Sequence, residues 1–365
     1  MKKALGALAL LLLLGVGYLN YDYLQDPVYW RRWWDLLSYA DQPDHMNFSP
    51  TVSVKSDDES MLPAAAPGET SIRPDALRAA ENYARDFDSF ALIVVHRGIV
   101  QTEWYGDGWR RDRLTQSQSM MKTLTAVMTG LALEDGHIGS LDDPVSLYFP
   151  EWQGDPRGAM RVRDLLWMTS GLAQSRFTFN PFARDSSFRF LNSSDRLPVL
   201  VATSLVFEPG SKFDYNDIAA QLAGTLIERA AGRPYAEYFR ERLWKPMGGQ
   251  SAELWLDREG GSAMTACCLL ASALDWAKVG VMLKDRGRID GRQVVPADWI
   301  EQMISPSPNY AGYGYFTWLG PGMVDRAAAP GDAGWQSEPF AVDDLFILQG
   351  YGGQRVYVSR SADLV

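Results

Sequence analysis

Cysteine and histidine are scarce in this sequence, which limits the metal and redox sites it can form. The chain of 365 residues has two cysteines and three histidines. Cys267 and Cys268 are neighbours in an apolar run, and adjacent cysteines rarely form an unstrained disulfide, so we interpret both as small buried packing residues. His45, His96 and His137 lie far apart and lack metal-ligand spacing. We therefore expect no metal site and no cofactor.

The sequence also lacks an excess of basic residues. Lysine and arginine total 35 against 45 aspartate and glutamate residues, which gives a net charge of -10. Binding to nucleic acid requires a basic face, so we expect no nucleic-acid partner. No serine lies in a G-x-S-x-G sequence, so a Ser-His-Asp site, although not excluded, has no motif here. The hydrophobic content of 46% predicts a packed globular body instead.

The N-terminus has the form of an export signal. Two lysines precede an apolar segment over residues 4–19, which as a helix would reach about 24 Å. The hydrocarbon core of a bilayer is about 30 Å thick, and extension of the helix to Tyr23 would cross it. We favour an uncleaved anchor in the inner membrane, residues 4–23, over a signal peptide cleaved after Gly17. Both alternatives predict a periplasmic or otherwise extracytoplasmic protein.

We divide the chain into three parts: a signal anchor or signal peptide (1–23), a juxtamembrane segment and linker (24–72), and a folded domain (73–365). The tryptophan-rich stretch 27–37 either lies on the membrane surface or packs on the folded body. Residues 41–74 are rich in Pro, Ser, Asp and Ala and have no hydrophobic period, which predicts a linker.

The folded domain is predicted to have strands at both ends and helices between them. Helical spacing covers 74–87, strands are expected at 90–96 and 99–105, and strand character returns near 313–319, 345–349 and 355–359. We expect an α+β fold with an antiparallel sheet from 73–114 and 310–365, flanked by helices, and an inserted all-helical lobe over 115–309. Residues 363–365 look like the opening of another strand, so we expect that the chain is truncated there.

One serine and one lysine have a spacing with chemical meaning. Ser119 and Lys122 open a predicted helix over 119–133, where residues three apart share a face. A serine hydroxyl needs a neighbour to take its proton, and burial at the start of a helix can lower the pKa of a lysine enough to help. Taken alone, the spacing fits an ordinary surface pair equally well.

Two further motifs follow in order. Tyr215-Asn216-Asp217 precedes a predicted helix over 219–231, and Tyr351-Gly352-Gly353 precedes the predicted strand 355–359. With Ser119-x-x-Lys122, they resemble the S-x-x-K, Y-x-N and K-T-G-like elements of the penicillin-binding-protein and class C β-lactamase superfamily. That superfamily includes DD-peptidases, family VIII carboxylesterases and 6-aminohexanoate-dimer hydrolases. Stretches that support the resemblance lie at 139–145, 162–172, 207–210 and 275–280.

The resemblance implies a role for each motif. Ser119 would be the acylated nucleophile, and Lys122 with Tyr215 would move its proton. The backbone N–H groups of Ser119 and Gln354 would form the oxyanion hole. The two glycines of the third motif, Gly352 and Gly353, would let substrate approach the strand edge closely.

Two positions depart from the pattern of that superfamily. Asp217 stands where an asparagine is usual, and Tyr351 stands where a lysine or histidine is usual. Loss of that cation disfavours an anionic acyl donor. We therefore predict hydrolysis of a small-molecule ester or short amide. DD-peptidase or weak β-lactamase activity, and a non-catalytic binding protein that keeps the fold, remain alternatives. The sequence gives no prediction of the oligomeric state.

Overall fold

The computed structural model describes residues 2–19, 24–38, 49–57, 59–176, 178, 180, 183, 185–324 and 339–365. Its helices are α1 (Lys2–Leu19), α2 (Pro27–Ser38), α3 (Pro74–Asp86), α4 (Met121–Glu134), α5 (Val162–Leu166), α6 (Ser187–Asn192), α7 (Leu197–Val201), α8 (Asp217–Ala231), α9 (Tyr235–Phe239), α10 (Ala273–Lys284), α11 (Ala297–Met303) and α12 (Gly320–Val324). Short 3-10 helices lie at Gln118–Met120, Val145–Leu147, Pro150–Trp152, Pro156–Ala159 and Tyr351–Gly353, and a π-helix lies at Arg240–Trp244.

The strands are β1 (Thr51–Val54), β2 (Ala91–His96), β3 (Ile99–Tyr105), β4 (Thr115–Gln116), β5 (Ala252–Trp255), β6 (Leu269–Ala271), β7 (Arg288–Ile289), β8 (Arg292–Gln293), β9 (Trp318–Leu319), β10 (Phe346–Gln349) and β11 (Arg355–Val358). Residues 20–23, at the end of the proposed anchor, and residues 41–48 and 58 of the predicted linker lie outside the described residues.

At each end of the predicted domain, neighbouring strands pair in antiparallel fashion, as the sequence predicts. β2 pairs with β3, and the order β11-β10-β9 forms a three-stranded sheet. The last residues join these two units, because Leu364 bridges both Ser359 and His96. Val365 and Val95 exchange backbone hydrogen bonds of 2.8 and 2.9 Å. Residues 361–363 form a turn rather than the opening of a strand, and Leu364 pairs only through these isolated bridges.

A second sheet, β1-β5-β6-β4, takes β1 from the N-terminal segment and its other three strands from the middle of the chain. The inserted region 115–309 is therefore mostly helical rather than all-helical, since short strands lie among its helices. These strands have two to four residues each, too short to display the alternation that identifies a strand in a sequence. β1 falls in the segment interpreted as a linker, and it pairs with β5 from Thr51 opposite Trp255 to Val54 opposite Ala252. That part of the segment is folded onto the body.

The tryptophan-rich helix α2 packs on the body, which was one of the two alternatives for this stretch. Tyr29 is fully buried, and the buried guanidinium of Arg32 donates to the carbonyl oxygens of Ser49 (2.7 Å) and Leu256 (2.8 Å). The Arg32 guanidinium also lies 5.0 Å from the centre of the Trp255 ring. Burial, followed by repulsion from Arg31, lowers the pKa of Arg32 to about 10.

The N-terminal helix α1 exposes its leucines: Leu5, Leu8, Leu10 and Leu11 to Leu14 are all exposed. Within the residues that the structure describes, no helix combines the length and the apolar character that a membrane crossing needs.

Helix α4 is the centre of the core and positions the candidate site at its N-terminus. It is buried along almost its whole length and packs against α8, as expected of a helix that is apolar on all sides. Gly130 is required here because an added Cβ would overlap the Trp299 indole. That indole donates to the carbonyl oxygen of Ala126 at 3.1 Å.

Candidate active site

Ser119 lies in the one-turn 3-10 helix that leads into α4, and it is half-buried. Strand β4 delivers the chain to this turn, and the Ser117 N–H donates to the carbonyl oxygen of Leu269 at 2.9 Å. Gln118, immediately before Ser119, has a φ of +47°, a left-handed conformation that is uncommon for residues other than glycine. Such backbone conformations concentrate at functional sites. The turn directs the Ser119 hydroxyl toward Lys122.

Lys122 is 1% exposed and its ammonium group has three acceptors. Its Nζ donates to the Ser119 Oγ at 2.8 Å and to the carbonyl oxygen of Ala266 at 2.7 Å. It also forms an ion pair with the Asp217 carboxylate, with 2.7 Å between Nζ and Oδ1. These three contacts, with the side-chain hydrogen bond between Lys122 and Tyr215, hold the lysine as a cation against the serine hydroxyl.

The expectation that burial lowers the pKa of Lys122 is wrong. Burial does act in that direction, but the charges of Asp217 and Tyr215 outweigh it and raise the pKa above its ordinary value. The sequence argument considered only burial and the helix dipole. The contact with Asp217 depends on tertiary structure, because Asp217 begins helix α8 and that helix packs on α4.

Tyr215 lies beside the same ammonium group, in an aromatic cluster. The Lys122 Nζ is 5.1 Å from the centre of its ring. The ring stacks on Trp318, with 5.5 Å between ring centres, and meets Tyr313 edge-on at 6.1 Å. Sequence reasoning missed Trp318 and Tyr313, whose only signal was their aromatic character in a predicted strand segment. They fix the plane of the Tyr215 ring.

Asn216, which lies between Tyr215 and Asp217 in the second motif, has a structural role. Asn216 caps helix α8, because its side-chain oxygen accepts from the Ile218 N–H at 2.9 Å. Its amide group donates to the carbonyl oxygen of Leu172 at 2.9 Å. The Asp214 N–H donates to the carbonyl oxygen of Met168 at 2.7 Å. Stretch 162–172, which resembles the superfamily signature, thus supports the loop that carries Tyr215.

The third motif lies in the turn between β10 and β11, immediately before a strand as predicted. Tyr351 is 77% exposed, and Gly352 and Gly353 have φ angles of +78° and +90°. The turn begins against the nucleophile segment, because an added Cβ on Gly350 would overlap the carbonyl oxygen of Ser117. The predicted Gln354 N–H of the oxyanion hole follows at the end of this turn. The turn thus starts beside Ser117, and Ser117 precedes the nucleophile Ser119 by two residues.

The interpretation of Cys267 and Cys268 as separate packing residues is corrected by the structure. Both are buried, but their sulfur atoms form a disulfide. Adjacent cysteines rarely form an unstrained disulfide, but here a φ of +83° at Cys268 accommodates the link. No group of three or more His, Cys, Asp and Glu residues could hold a metal ion in the part of the chain that the structure describes.

Comparison with known proteins identifies the family. The family model named Beta-lactamase matches residues 75–365, most of the chain. This chain belongs to the Beta-lactamase family. The match contains all three motifs, and the names of the chain's curated relatives cover a range of hydrolases.

Two curated relatives illustrate that range. A 6-aminohexanoate-dimer hydrolase of Paenarthrobacter ureafaciens is 25% identical over 272 residues, which cover 70% of this chain and 67% of that protein. A putative D-alanyl-D-alanine carboxypeptidase of Escherichia coli (strain K12) is 28% identical over 182 residues, 43% of this chain and 41% of the relative. The second match thus spans less than half of the relative's length.

A solved structure shows the same fold over nearly the whole chain. It is a putative 6-aminohexanoate-dimer hydrolase from Bacillus anthracis, with a TM-score of 0.69 and 22% sequence identity. The similarity covers 94% of this chain and 88% of that one. The Beta-lactamase family fold predicted from the three motifs is therefore confirmed.

Proposed function

We propose that this member of the Beta-lactamase family is a serine hydrolase that cleaves an ester or short amide bond through an acyl-enzyme on Ser119. One observation carries the proposal: the buried Lys122 ammonium donates to the Ser119 hydroxyl at 2.8 Å and lies against the face of Tyr215. A nucleophile, a cation and a second proton-transfer group therefore meet at one point. A cluster that served only to pack the core would not need a serine that is partly exposed to solvent beside the lysine.

The charge state of Lys122 divides the roles of the two predicted proton-transfer groups. An ammonium group with all three protons donated has no lone pair to accept another. Tyr215 is then the group that takes the Ser119 proton. The Lys122 ammonium favours negative charge on the side-chain oxygens of Ser119 and Tyr215. The Ser119 oxygen attacks the substrate carbonyl, Tyr215 returns the proton to the leaving group, and an acyl-serine ester remains.

Deacylation reverses these transfers with water in place of the leaving group. Tyr215 takes a proton from the water, the resulting hydroxide attacks the acyl carbonyl, and the proton returns to the Ser119 oxygen. The negative charge on the carbonyl oxygen would be stabilised by the N–H groups of Ser119 and Gln354. The close approach of Gly350 to Ser117 supports this role, because it fixes the start of the turn that ends at Gln354.

Two substitutions guide the choice of substrate. Asp217 places a carboxylate that is 41% exposed next to the reacting groups, and Tyr351 presents an exposed phenol in place of a cation. An anionic acyl donor would meet repulsion from Asp217, and Tyr351 offers it no positive charge. Neutral or cationic esters and short amides suit the site better. The relative named as a 6-aminohexanoate-dimer hydrolase is in line with a short amide.

A substrate panel tests this proposal. Wild-type protein should hydrolyse p-nitrophenyl esters of neutral acids, and Ser119→Ala should lose at least about a thousandfold of that turnover. Ser117→Ala is the matched control, since Ser117 is a buried serine two residues away whose hydroxyl donates to the Gln118 carbonyl oxygen. Undiminished turnover in Ser119→Ala would overturn the proposal. Inertness of the wild type toward esters, amides and penicillins would favour a non-catalytic binding protein.

Cell-wall chemistry is a second candidate, favoured by the similarity to the putative D-alanyl-D-alanine carboxypeptidase. A DD-peptidase or weak β-lactamase would be acylated by a penicillin. Covalent capture of a fluorescent penicillin by wild type, lost in Ser119→Ala, would support this function. No capture at saturating penicillin would leave the ester or amide hydrolase as the better description.

We also propose that the enzyme acts in the periplasm or elsewhere outside the cytoplasm, held at the inner membrane by its N-terminal segment. The charged Lys2-Lys3 pair and the apolar helix that follows support this location. Fusion of alkaline phosphatase after residue 365 should give an active reporter in the periplasm. An inactive phosphatase, with full-length fusion in the cytoplasmic fraction, would contradict the proposal.

A further inference from the structure

Cys267 and Cys268 form a disulfide that lies against the segment before the candidate nucleophile, Ser119. We propose that the Cys267–Cys268 pair is a redox modification site for the hydrolase: the disulfide form is the active one, and a dithiol opens it to a less active form. The inference rests on the proposed function, because Ser119 turnover is what it controls. Both cysteines are buried, at 8% and 2% exposure, and the proposed acyl-transfer steps do not use them.

The residues that flank the disulfide hold the catalytic groups in place. The carbonyl oxygen of Ala266, immediately before the pair, accepts from the Lys122 Nζ at 2.7 Å. The carbonyl oxygen of Leu269, immediately after it, accepts from the Ser117 N–H at 2.9 Å. The backbone on both sides of the disulfide therefore contacts the segment that carries Ser119.

The disulfide pair also contacts this segment itself. The Cys268 N–H donates to the carbonyl oxygen of Gln118 at 3.4 Å. Gln118 precedes the nucleophile, and both Gln118 and Cys268 have positive φ angles, of +47° and +83°. Two left-handed residues other than glycine thus face each other across this contact. Each is a conformation that persists only where its surroundings impose it.

The disulfide bond is one of the constraints that hold Cys268 in its left-handed conformation. A disulfide between neighbours closes a small ring that includes the peptide bond between them, so the backbone torsion angles of both residues are constrained together. When the ring opens, Cys268 is free to leave the left-handed region, which is unfavourable for a residue with a Cβ. Such a rotation turns the adjoining peptide groups, and the contact between the Ala266 carbonyl oxygen and Lys122 changes with it.

The reaction is a thiol–disulfide exchange that balances with a dithiol as reductant. One thiolate of the dithiol attacks a sulfur of the pair, breaks the S–S bond and forms a mixed disulfide. The second thiol of the reagent then displaces the other cysteine sulfur. The reagent leaves as a cyclic disulfide, and the protein gains two electrons and two protons as two thiols. An oxidised dithiol reverses both steps.

The test compares ester hydrolysis by the full chain in its two redox states. Dithiothreitol reduces the pair, and alkylation followed by intact mass measurement reports the thiols formed. We expect kcat to fall about tenfold to a hundredfold on reduction, as for a small displacement of reacting groups, with KM little changed. Reoxidation should restore kcat. Reduced protein that retains full kcat would overturn the inference.

Two variants separate the redox site from effects of the reagent. Cys267→Ser/Cys268→Ser should have the lower kcat and should not respond to dithiothreitol. Cys267→Ser/Cys268→Gly should recover part of the turnover, since glycine adopts positive φ without a disulfide. This second variant keeps the test valid if the first one fails to fold. A response of either variant to dithiothreitol would contradict the inference.

The outcome also distinguishes this inference from the proposed function. If a fluorophosphonate labels Ser119 and esters are hydrolysed equally in both redox states, the redox site is wrong and the hydrolase stands. If neither state labels or hydrolyses, the proposed function fails, and the redox inference fails with it.

Discussion

The N-terminal end of helix α4 and the turn at Tyr351–Gly353 both border the candidate site, but they differ in nearly every physical respect. Lys122 is 1% exposed and has three polar partners, whereas Tyr351 is 77% exposed. An added Cβ on Gly352 or Gly353 would meet nothing within 4 Å. The first region is fixed by its surroundings, whereas the second has open space around its side chains and is restricted only by the positive φ of its two glycines.

This difference separates the reaction from the choice of substrate. A buried ammonium group that loses its partners leaves uncompensated charge, so the residues around Lys122 constrain one another. An exposed side chain at the rim carries no such constraint. The substitution of the usual cation by Tyr351 is therefore compatible with an intact acylation centre. The following predictions test this separation, from the largest expected effect to the smallest.

Replacement of Lys122 by methionine should have the largest effect. It removes the hydrogen bond to Ser119 and leaves the Asp217 carboxylate without its cation, so kcat/KM for a p-nitrophenyl ester should fall about a thousandfold or more. Lys284→Met is the matched control, because Lys284 is also buried and paired with acids, Asp285 and Asp363, away from the site. Equal kcat values in the two folded variants would contradict a catalytic Lys122.

Tyr215→Phe should have the next largest effect, since it removes one oxygen and keeps the ring that stacks on Trp318. Loss of proton transfer should lower kcat by about a hundredfold to ten-thousandfold. Tyr313→Phe is its control. Burial raises the pKa of Tyr313 well above its ordinary value, so that phenol stays neutral and should not accept the Ser119 proton. Similar losses in the two variants would show that Tyr215 acts only through packing.

Asp217→Asn should change the pH dependence more than the maximal rate. The carboxylate raises the pKa of Lys122 against the effect of burial, so its removal lets burial lower that pKa. If turnover requires the ammonium form, activity is lost as pH rises through this pKa, and the basic limb of the kcat profile should move to lower pH. An unchanged basic limb would contradict the assigned role of Lys122.

Tyr351→Lys should have the smallest effect on the reaction itself. Turnover of a neutral ester should stay within about threefold, while kcat/KM for an ester with an anionic acyl group should rise by about tenfold, as for one new exposed charge contact. Tyr351→Met keeps the bulk without the charge and should show no such preference. A large loss of turnover with neutral esters would show that Tyr351 takes part in the reaction. It would contradict the division of roles between the two regions.

The parts of the structure that could be predicted are those with local signals. Strand β3 occupies 99–105 as predicted, because its alternation and the preceding turn are readable in the sequence. Helix α3 begins at Pro74 as predicted, since proline is favoured in the first turn. The spacing of Ser119 and Lys122 also predicted their contact, because it depends only on helix geometry.

The parts that could not be predicted depend on tertiary contacts. The direction of the Lys122 pKa shift is set by Asp217, which is distant in sequence. The short strand β1 is recognisable only through its pairing with β5. The Cys267–Cys268 disulfide depends on a backbone conformation that no residue type in the run announces.

Peptide mapping after covalent labelling tests the central claim most directly. Wild-type protein treated with a fluorophosphonate should gain a single adduct, on the peptide that contains Ser119, and pretreatment with a hydrolysable neutral ester should slow its formation. Ser119→Ala should gain none. An adduct on another residue, or equal labelling of the two proteins, would contradict the assignment of Ser119 as the nucleophile.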